Sequence, residues 1–325
     1  MPSKTDNSHF PTFQYPMIEN EIDLSEVLSA IWRGKWIVVI TTILFAILSV
    51  LYAINKPNIY RADVLLAPAD SSGGNAISKM AGQLGGLASI AGVNLGGAEA
   101  NQTELAVQVL QSRLFIDKFI TNHDLLVPIM ASTGWNMATN ELLIDESVFD
   151  SSENAWVREP QGLRGKEPSS QEAYEVFMEE NLSLHQDKDT GFYRLSIMHY
   201  SPFLAQAWAN LLVTELNDEM RLRAISDANK NLKYLKEQLQ NTSVSEMQST
   251  FYSLIEEQTK SLMLAKTQDE FSFKVIDPAV APEIKAQPKR ALICILGTLL
   301  GTILGITIVL IMFAYKKNEK SDSNE

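Results

Sequence analysis

Two long apolar segments dominate the pattern of hydrophobic and polar positions along the chain. They cover residues 36–54 and 291–315, and neither contains a charged residue. A bilayer core about 30 Å thick needs roughly 20 apolar helical residues, so both segments predict transmembrane helices rather than buried core helices. Trp36 and Tyr52 are interface aromatics. The first segment also begins too late for a signal peptide and lacks a cleavage site.

Two spans place both termini on one side of a membrane. The expected domains are therefore a terminal tail of residues 1–35, an opposite-side domain of residues 55–290 and a second tail of residues 316–325. Lysine and arginine are almost equally frequent at the two kinds of loop end, and the positive-inside rule is weak for a loop this long. Charge therefore leaves the orientation open.

A third uncharged stretch, residues 80–98, is rich in small residues and overlaps the glycine-rich segment 73–97. Its glycines and polar residues lower the gain from transfer into lipid. The composition favours a small-residue helix or loop packed against protein over a third span. A phosphate-binding loop is a weaker alternative, because the segment lacks G-x-G-x-x-G.

The region before the first span predicts a helix that lies on the membrane surface. Residues 1–20 are polar and proline-containing, which predicts disorder. Asp23 and Glu26 have the spacing of a capping box. The residues that follow form a one-sided apolar stripe, which predicts contact with membrane lipid: Leu24, Val27, Leu28, Ile31 and Trp32.

Short strands and helices are mixed in residues 55–200 and 270–290. The predicted strands are 60–67, 192–198 and 271–276, with a hairpin that returns to Leu184 around the turn at 187–191. The predicted helices are 100–121, with a stripe of Leu105, Val109, Phe115 and Phe119, and 170–182. The fold class expected is α+β.

The longest pattern predicts a helical hairpin over residues 201–269. Ser201-Pro202 is a helix start, and residues 203–268 contain no glycine or proline. The chain is expected to reverse at 241–243. A second helix, capped by Ser243 or Ser245, would then run to about Lys266. Apolar rows continue along the first helix at i+4 and then 3-4 spacing. The Trp208 row predicts a core stripe of the protomer, or else a seam between identical subunits. The candidate seam residues on the helix are Trp208, Leu212, Leu216, Leu232, Leu235 and Leu239.

Glycine spacing marks one face of the second span. Gly297, Gly301 and Gly305 repeat at every fourth position, which allows a second helix to approach closely. The alternative is that a membrane helix merely tolerates these glycines. Pro282 and Pro288 stiffen the approach to the span. We expect these five residues to take part in packing against a second helix.

The sequence offers no catalytic constellation. The four histidines are scattered and lack partners at metal-ligand spacing, and nucleophile, zinc-hydrolase and phosphate-loop motifs are absent. Cys294 is the one cysteine. The net charge of −12 argues against nucleic acid, which needs a basic surface. We therefore expect no enzyme activity, no cofactor and no metal.

Several short motifs occur in a recognisable order. They are Glu21-Ile22-Asp23-Leu24, Ile31-Trp32-Arg33-Gly34-Lys35-Trp36, Tyr60-Arg61-Ala62, Ser201-Pro202, Met263-Leu264-Ala265, and Asp277-Pro278 through Pro282 to Pro288-Lys289-Arg290-Ala291. With these motifs in order, the whole chain resembles the Wzz chain-length determinants, the short polysaccharide co-polymerases. The hairpin here is shorter than in the longest-helix members.

The resemblance implies an inner-membrane protein of a Gram-negative bacterium with cytoplasmic termini and a periplasmic α/β base carrying a long protruding hairpin. It further implies a ring-shaped homo-oligomer. Such a ring would set the modal length of O-antigen, the polymer of lipopolysaccharide, together with the membrane polymerase. Pro282, Pro288, Gly297, Gly301 and Gly305 would contact sister helices or that polymerase. The growing lipid-linked glycan would be a further partner.

Two other classes share the two-span plan. One is the co-polymerase linked to a tyrosine kinase in capsule or exopolysaccharide systems; with ten residues after Tyr315, its kinase would be a separate chain. A component of an enterobacterial-common-antigen-like system is a related alternative. The other class is a periplasmic sensor or chemoreceptor. A protein of that class needs a cytoplasmic output domain, and neither short tail supplies one.

Overall fold

The computed structural model describes residues 24–69, 97–242 and 244–322. The predictions made for residues 1–20, Asp23, Ser243 and most of the glycine-rich segment lie outside these ranges. The chain divides into two compact units, Met1–Lys56 with Lys289–Glu325, and Pro57–Pro288.

The described helices and strands occur in groups along the chain. The helices are α1 Leu24–Arg33, α2 Lys35–Asn55, α3 Gly97–Leu110, α4 Arg113–Asn122, α5 Leu126–Met130, α6 Ser170–Val176, α7 Pro202–Asn241, α8 Ser245–Thr267 and α9 Arg290–Asp322. The strands are β1 Tyr60–Pro68, β2 Ser132–Asn136, β3 Glu141–Ile144, β4 Phe149–Asp150, β5 Ala155–Trp156, β6 Leu182–Gln186, β7 Tyr193–His199 and β8 Phe273–Asp277.

The first unit is built on two helices that are long and apolar enough to cross a membrane. They are α2 and the part of α9 from Arg290 to Tyr315, and they contain the two predicted spans. Most of their apolar side chains remain exposed. That exposure suits helices whose solvent is lipid.

The second unit contains a four-stranded antiparallel sheet in the order β6-β7-β1-β8. Tyr60 pairs with His199 at one end of β1 and Leu66 with Tyr193 near the other. Alternate residues of β1 are buried, including Val64 and Leu66. This period of two puts one face of the sheet into the core. The strands predicted at 60–67, 192–198 and 271–276, and the hairpin, are confirmed.

The core lies between this face of the sheet and the helices α4, α6 and the first half of α7. Its largest fully buried side chains come from the helical segments and from the sheet: Phe119, Phe177, Leu212, Leu216, Leu195, Ile197 and Phe273. Helix α7 packs on both β1 and β7. The fold is therefore α+β, as the sequence predicts.

The helix predicted over 100–121 is two helices. Ser112 breaks it, because its side chain accepts a hydrogen bond from the backbone N–H of Phe115 and caps α4. The stripe is also wrong at Leu105, which is 51% exposed, while Ala106 is fully buried. The helix predicted at 170–182 holds as α6, but its last turn, Phe177–Asn181, widens to a π-helix before β6.

Residues 132–156 form two small hairpins that the sequence did not reveal, β2–β3 and β4–β5. The following loop is fastened to α6 by an ion pair. Arg158 Nη2 donates to Glu172 Oε2 at 2.8 Å, and Glu172 is buried. These hydrogen bonds hold the pKa of the Glu172 carboxyl below its usual range.

Candidate functional site

The glycine face of α9 packs against α2 of the same chain. A Cβ atom on Gly297 would overlap Ser49 Cβ, and one on Gly301 would lie 2.7 Å from Phe45 Cβ. At Gly305 the nearest backbone atom would be Val38 Cα, at 2.9 Å. These separations are shorter than van der Waals contact, so each position requires glycine while the helices keep this spacing.

Polar bonds reinforce the helix pair. Thr42 Oγ1 and Thr302 Oγ1 are 3.2 Å apart, a hydrogen bond between the two helices. At one end, Arg290 Nε donates to the backbone oxygen of Ala53 at 3.0 Å. That bond satisfies a carbonyl at the C-terminus of α2, where a cation also interacts favourably with the helix dipole.

The predicted use of the glycines is therefore corrected. They allow a close helix contact, but the contacting helix is the chain's own α2, so Gly301 and Gly305 are buried within the protomer. A sister helix or a polymerase would have to contact another face of α9. Gly34, between α1 and α2, belongs to the same packing, since a Cβ there would lie 2.5 Å from Val309 Cγ2.

Pro282 and Pro288 lie on the segment that follows β8, and both are half-buried. This segment is tied to the start of β1: Ile59 N donates to the Gln287 oxygen at 3.0 Å, and Ala286 N donates to the Ile59 oxygen at 2.8 Å. The Gln287–Pro288 peptide bond is cis. The two prolines thus shape the exit of the chain from the base, and their contact with a polymerase stays a prediction.

Over the first half of α7 the apolar row is the core stripe, and its burial leaves these residues unavailable for a subunit seam. Trp208 is 3% exposed, and Leu212 and Leu216 are fully buried in the core of the protomer's own base. The ring of Phe177 lies 6.3 Å from that of Trp208. The row is long, as the sequence indicates, but the sheet of the same chain covers it.

Over the second half of α7 the row faces α8. Leu232 is buried, and Leu235 and Leu239 are half-buried. Helix α8 contributes a facing row at spacings of three and four, namely Phe251, Ile255, Gln258, Leu262 and Ala265. The 3-4 seam predicted for this part of α7 therefore exists, with α8 rather than another subunit as its partner.

The hairpin still exposes large apolar side chains on its outer surface. We call them the outer hairpin residues: Leu222, Tyr234, Val244, Met247, Tyr252 and Met263. Tyr234 is 61% exposed and Tyr252 is 62% exposed. Helix α8 also begins without a side-chain cap, so the cap expected from Ser245 is wrong.

Two asparagines on α7 hold the returning chain, and sequence reasoning missed both. Asn217 is buried; its Oδ1 accepts from the N–H groups of Ser272 and Phe273, and its Nδ2 donates to the Phe273 oxygen, all at 2.9 Å. Seven residues earlier, Asn210 makes a reciprocal pair with the backbone of Ala279. The spacing of seven on one helix face is the signal that could have found them.

His199 is a structural residue rather than a metal ligand. Its Nδ1 accepts from the N–H of Ser201 at 3.1 Å, so Nε2 carries the proton and faces the Pro128 oxygen. The ring packs 4.6 Å from that of Trp208. Burial lowers the pKa of His199 to about 4. Within the described ranges, no three potential metal ligands cluster.

Two family models match parts of the chain. The model described as Wzz, chain length determinant protein, matches residues 20–123. The model described as GNVR, a G-rich domain on putative tyrosine kinase, matches residues 235–313. A search of curated proteins finds no match.

Two solved structures are similar to the chain at low identity. A full-length bacterial polysaccharide co-polymerase is 12% identical with a TM-score of 0.38, and the match covers 91% of this chain and 99% of that one. A fragment of WzzB, a polysaccharide co-polymerase from Salmonella Typhimurium, is 11% identical with a TM-score of 0.33, covering 71% and 100%. The two family models confirm the resemblance inferred from sequence motifs: residues 20–123 carry a Wzz chain length determinant domain, and residues 235–313 carry a GNVR region.

Proposed function

We propose that the protein is a non-enzymatic regulator that sets the modal chain length of a surface polysaccharide, with the O-antigen of lipopolysaccharide as the polymer. It acts together with the membrane polymerase. The observation that carries the proposal is the Wzz match over residues 20–123, joined to two apolar helices that bracket a domain of residues 57–288.

In this proposal α2 and α9 cross the inner membrane of a Gram-negative bacterium. Both termini are cytoplasmic and residues 57–288 are periplasmic. The glycine contact supports a tightly packed two-helix anchor, since helices in lipid associate by close packing and interhelical hydrogen bonds. Exposed side chains on the outer faces of the pair, such as Leu299 and Ile303, are available to lipid or to the polymerase.

The active form in this proposal is a homo-oligomer. The outer hairpin residues support it, because large apolar side chains exposed to water favour association. They replace the buried residues Trp208, Leu212 and Leu216 as the expected subunit contact. In a symmetric assembly, a neighbouring copy of the same chain is the simplest partner to cover such side chains.

A deletion strain tests the function. Surface glycan from this strain, separated by gel electrophoresis, should lose its preferred length while the total amount of polymer is kept. Re-expression of the wild-type chain should restore the preferred length. Loss of all polymer would instead indicate a role in synthesis or export, and an unchanged length distribution would refute the proposal.

The GNVR match favours one second candidate, a co-polymerase of a capsule or exopolysaccharide system that works with a tyrosine kinase. The same deletion strain distinguishes the two. Loss of length control in the capsule or exopolysaccharide fraction, with normal lipopolysaccharide, would support this candidate. Co-purification of a kinase with the tagged full-length chain would support it further.

A further inference from the structure

An open cleft of about 680 Å³ lies in the base, apart from the hairpin of α7 and α8. The start of α5, the β4–β5 hairpin and the loop after it form its walls. Its size matches that of small-molecule sites in proteins. The lining side chains that matter here are one indole and four polar groups: Trp156, Asp124, Asn154, Lys166 and Glu167.

The indole of Trp156 is held in place from within the protein. It pairs across the β4–β5 hairpin with Phe149, and the two rings meet edge to face with centroids 5.0 Å apart. Phe149 is buried, whereas Trp156 is half-buried. The cleft therefore presents a rigid, partly accessible aromatic surface.

The polar side chains around this indole are uncommitted. Among the described residues, Asp124, Asn154, Lys166 and Glu167 make no side-chain hydrogen bond or ion pair with the protein. The adjacent loop differs, because Arg158 is paired with Glu172. Four free polar side chains beside an aromatic ring are what a ligand with several hydroxyl groups requires.

We propose that this cleft binds a saccharide segment, one or two pyranose rings of the glycan whose length the protein sets. The proposal rests on the function proposed above. The indole packs against the C–H face of a ring, while the amide of Asn154 and the carboxylates of Asp124 and Glu167 form hydrogen bonds with hydroxyl groups.

Charge and polarity select this ligand class over others. Two carboxylates and one ammonium group give the rim a net charge of −1, and the whole chain carries −12. A phosphate or another anion is therefore disfavoured. An apolar peptide is disfavoured as well, because it would bury four unpaired polar groups. A neutral or amino sugar satisfies both conditions.

The cleft is open, so binding by one copy is weak and reversible, as a growing polymer that moves past the site requires. Several copies in one assembly would hold a long chain more strongly than a short one through avidity. Such a difference between long and short glycans gives the assembly a physical means of sensing length.

The test uses the full-length chain in nanodiscs, with its five tryptophans labelled as 5-fluorotryptophan. Loss of one ¹⁹F resonance in Trp156→Phe assigns that residue. The probe is lipid-free surface polysaccharide, released from the producing strain by mild acid. Titration should shift the Trp156 resonance and leave that of buried Trp208 in place.

Variants locate the site. Trp156→Ala should weaken binding of the probe about tenfold, and Asn154→Gly should weaken it while keeping the positive φ of 50°. The double variant Asp124→Asn, Lys166→Gln should also weaken binding. Both positions lie outside the β4–β5 hairpin, so this result does not depend on correct folding of that hairpin. Trp135→Phe, on another hairpin, is the matched control and should bind normally.

Unchanged binding in Trp156→Ala and in the double rim variant would overturn the assignment of the binding site to this cleft. A shift of the Trp135 resonance without a shift of the Trp156 resonance would do the same. A shift caused equally by inorganic phosphate would overturn the sugar assignment. The deletion strain separates the two proposals. If that strain loses its length mode but the probe leaves Trp156 unshifted, the cleft is wrong and the function stands; an unchanged mode would refute the function.

Discussion

The molecule contains two antiparallel helix pairs built on opposite principles. In the pair α2–α9 the contact depends on the missing side chains of Gly297, Gly301 and Gly305, which bring the backbones together. In the hairpin α7–α8 most of the contacting side chains are apolar, such as Leu232 and Ala265. The first interface has no room for added side chains; the second is filled by them.

The difference follows from the solvent of each pair. Lipid is as apolar as leucine, so burying leucine between membrane helices gains little, and close backbone packing decides the contact. In water, each buried leucine contributes about 2 kcal/mol. A hairpin in water therefore recruits large apolar side chains, and those left on its outer surface, such as Tyr234, call for a further partner.

The largest effect is expected where the apolar row of α7 is most deeply buried. Leu212→Ala should reduce the free energy of unfolding by about 4 kcal/mol, because it leaves a cavity in the core. Thermal unfolding of the full-length chain in detergent, followed by circular dichroism, measures it. Leu222→Ala on the same helix, 59% exposed, is the control and should change stability by less than about 0.5 kcal/mol. Equal losses would contradict the burial described here.

Gly301→Leu should separate α2 from α9, at a cost of about 3 kcal/mol, because the new side chain meets Phe45 and the backbone of Thr41. Disulfide formation between Thr42→Cys and Thr302→Cys, in a Cys294→Ser background, reports the helix contact on a gel. The cross-link should form in the double-cysteine chain that keeps Gly301, and should fail when Gly301→Leu is added.

The exposed face of α9 provides the control for this cross-link. Leu299 lies two positions from Gly301 on the same helix and is 54% exposed, so Leu299→Ala removes a side chain that takes no part in the contact with α2. That variant should cross-link as the parent does. A cross-link that survives Gly301→Leu would mean that the glycines are merely tolerated in this helix.

Acidification should weaken the base through His199. Its pKa in the folded chain is about 4, below the unfolded value near 6.5, so protonation favours the unfolded state. The stability that the neutral form of His199 contributes is fully present above pH 6.5 and is lost as the pH falls toward 4. Between pH 6.5 and 5 the loss should be about 1.5 kcal/mol.

Chemical denaturation at several pH values measures this slope. His199→Gln should flatten it over that range, whatever its effect on stability at neutral pH. The carboxylate of Glu172 has a lowered pKa, so the stability that it contributes is lost only as the pH falls below its unfolded value. A slope that is identical in the variant would show that another group is responsible.

Elements with strong local signals were predictable from sequence. The two apolar helices, β1 and the start of α7 at Ser201-Pro202 each carry their own pattern or cap. The strands β4 and β5 have two residues each and are too short to show a period. Ser112 was missed as a break because its flanking apolar residues keep helical spacing across it.

For the candidate sites, periodicity predicted which face is apolar but not what covers it. The row containing Trp208 and Leu216 has the same spacing whether a sheet, a neighbouring helix or another subunit lies against it. The glycines of α9 show the same limit, since their spacing does not name α2. Asn210 and Asn217 were missed because two amides seven residues apart share a helix face without naming their partners, and only the returning chain provides those partners.

The smallest effect on stability, and the sharpest on assembly, is expected at the outer hairpin residues. Tyr234→Ser with Tyr252→Ser should change unfolding by less than about 0.5 kcal/mol, because neither ring is covered within the protomer. If these rings pack between copies, the variant should form smaller assemblies in nanodiscs, measured by mass photometry, and should shift the modal length of the glycan. Lys233→Ser, exposed on the same helix, should do neither. Assemblies of unchanged size would move the subunit contact away from the hairpin and toward the base, which also exposes large apolar side chains, among them Leu114, Met137 and Ile284.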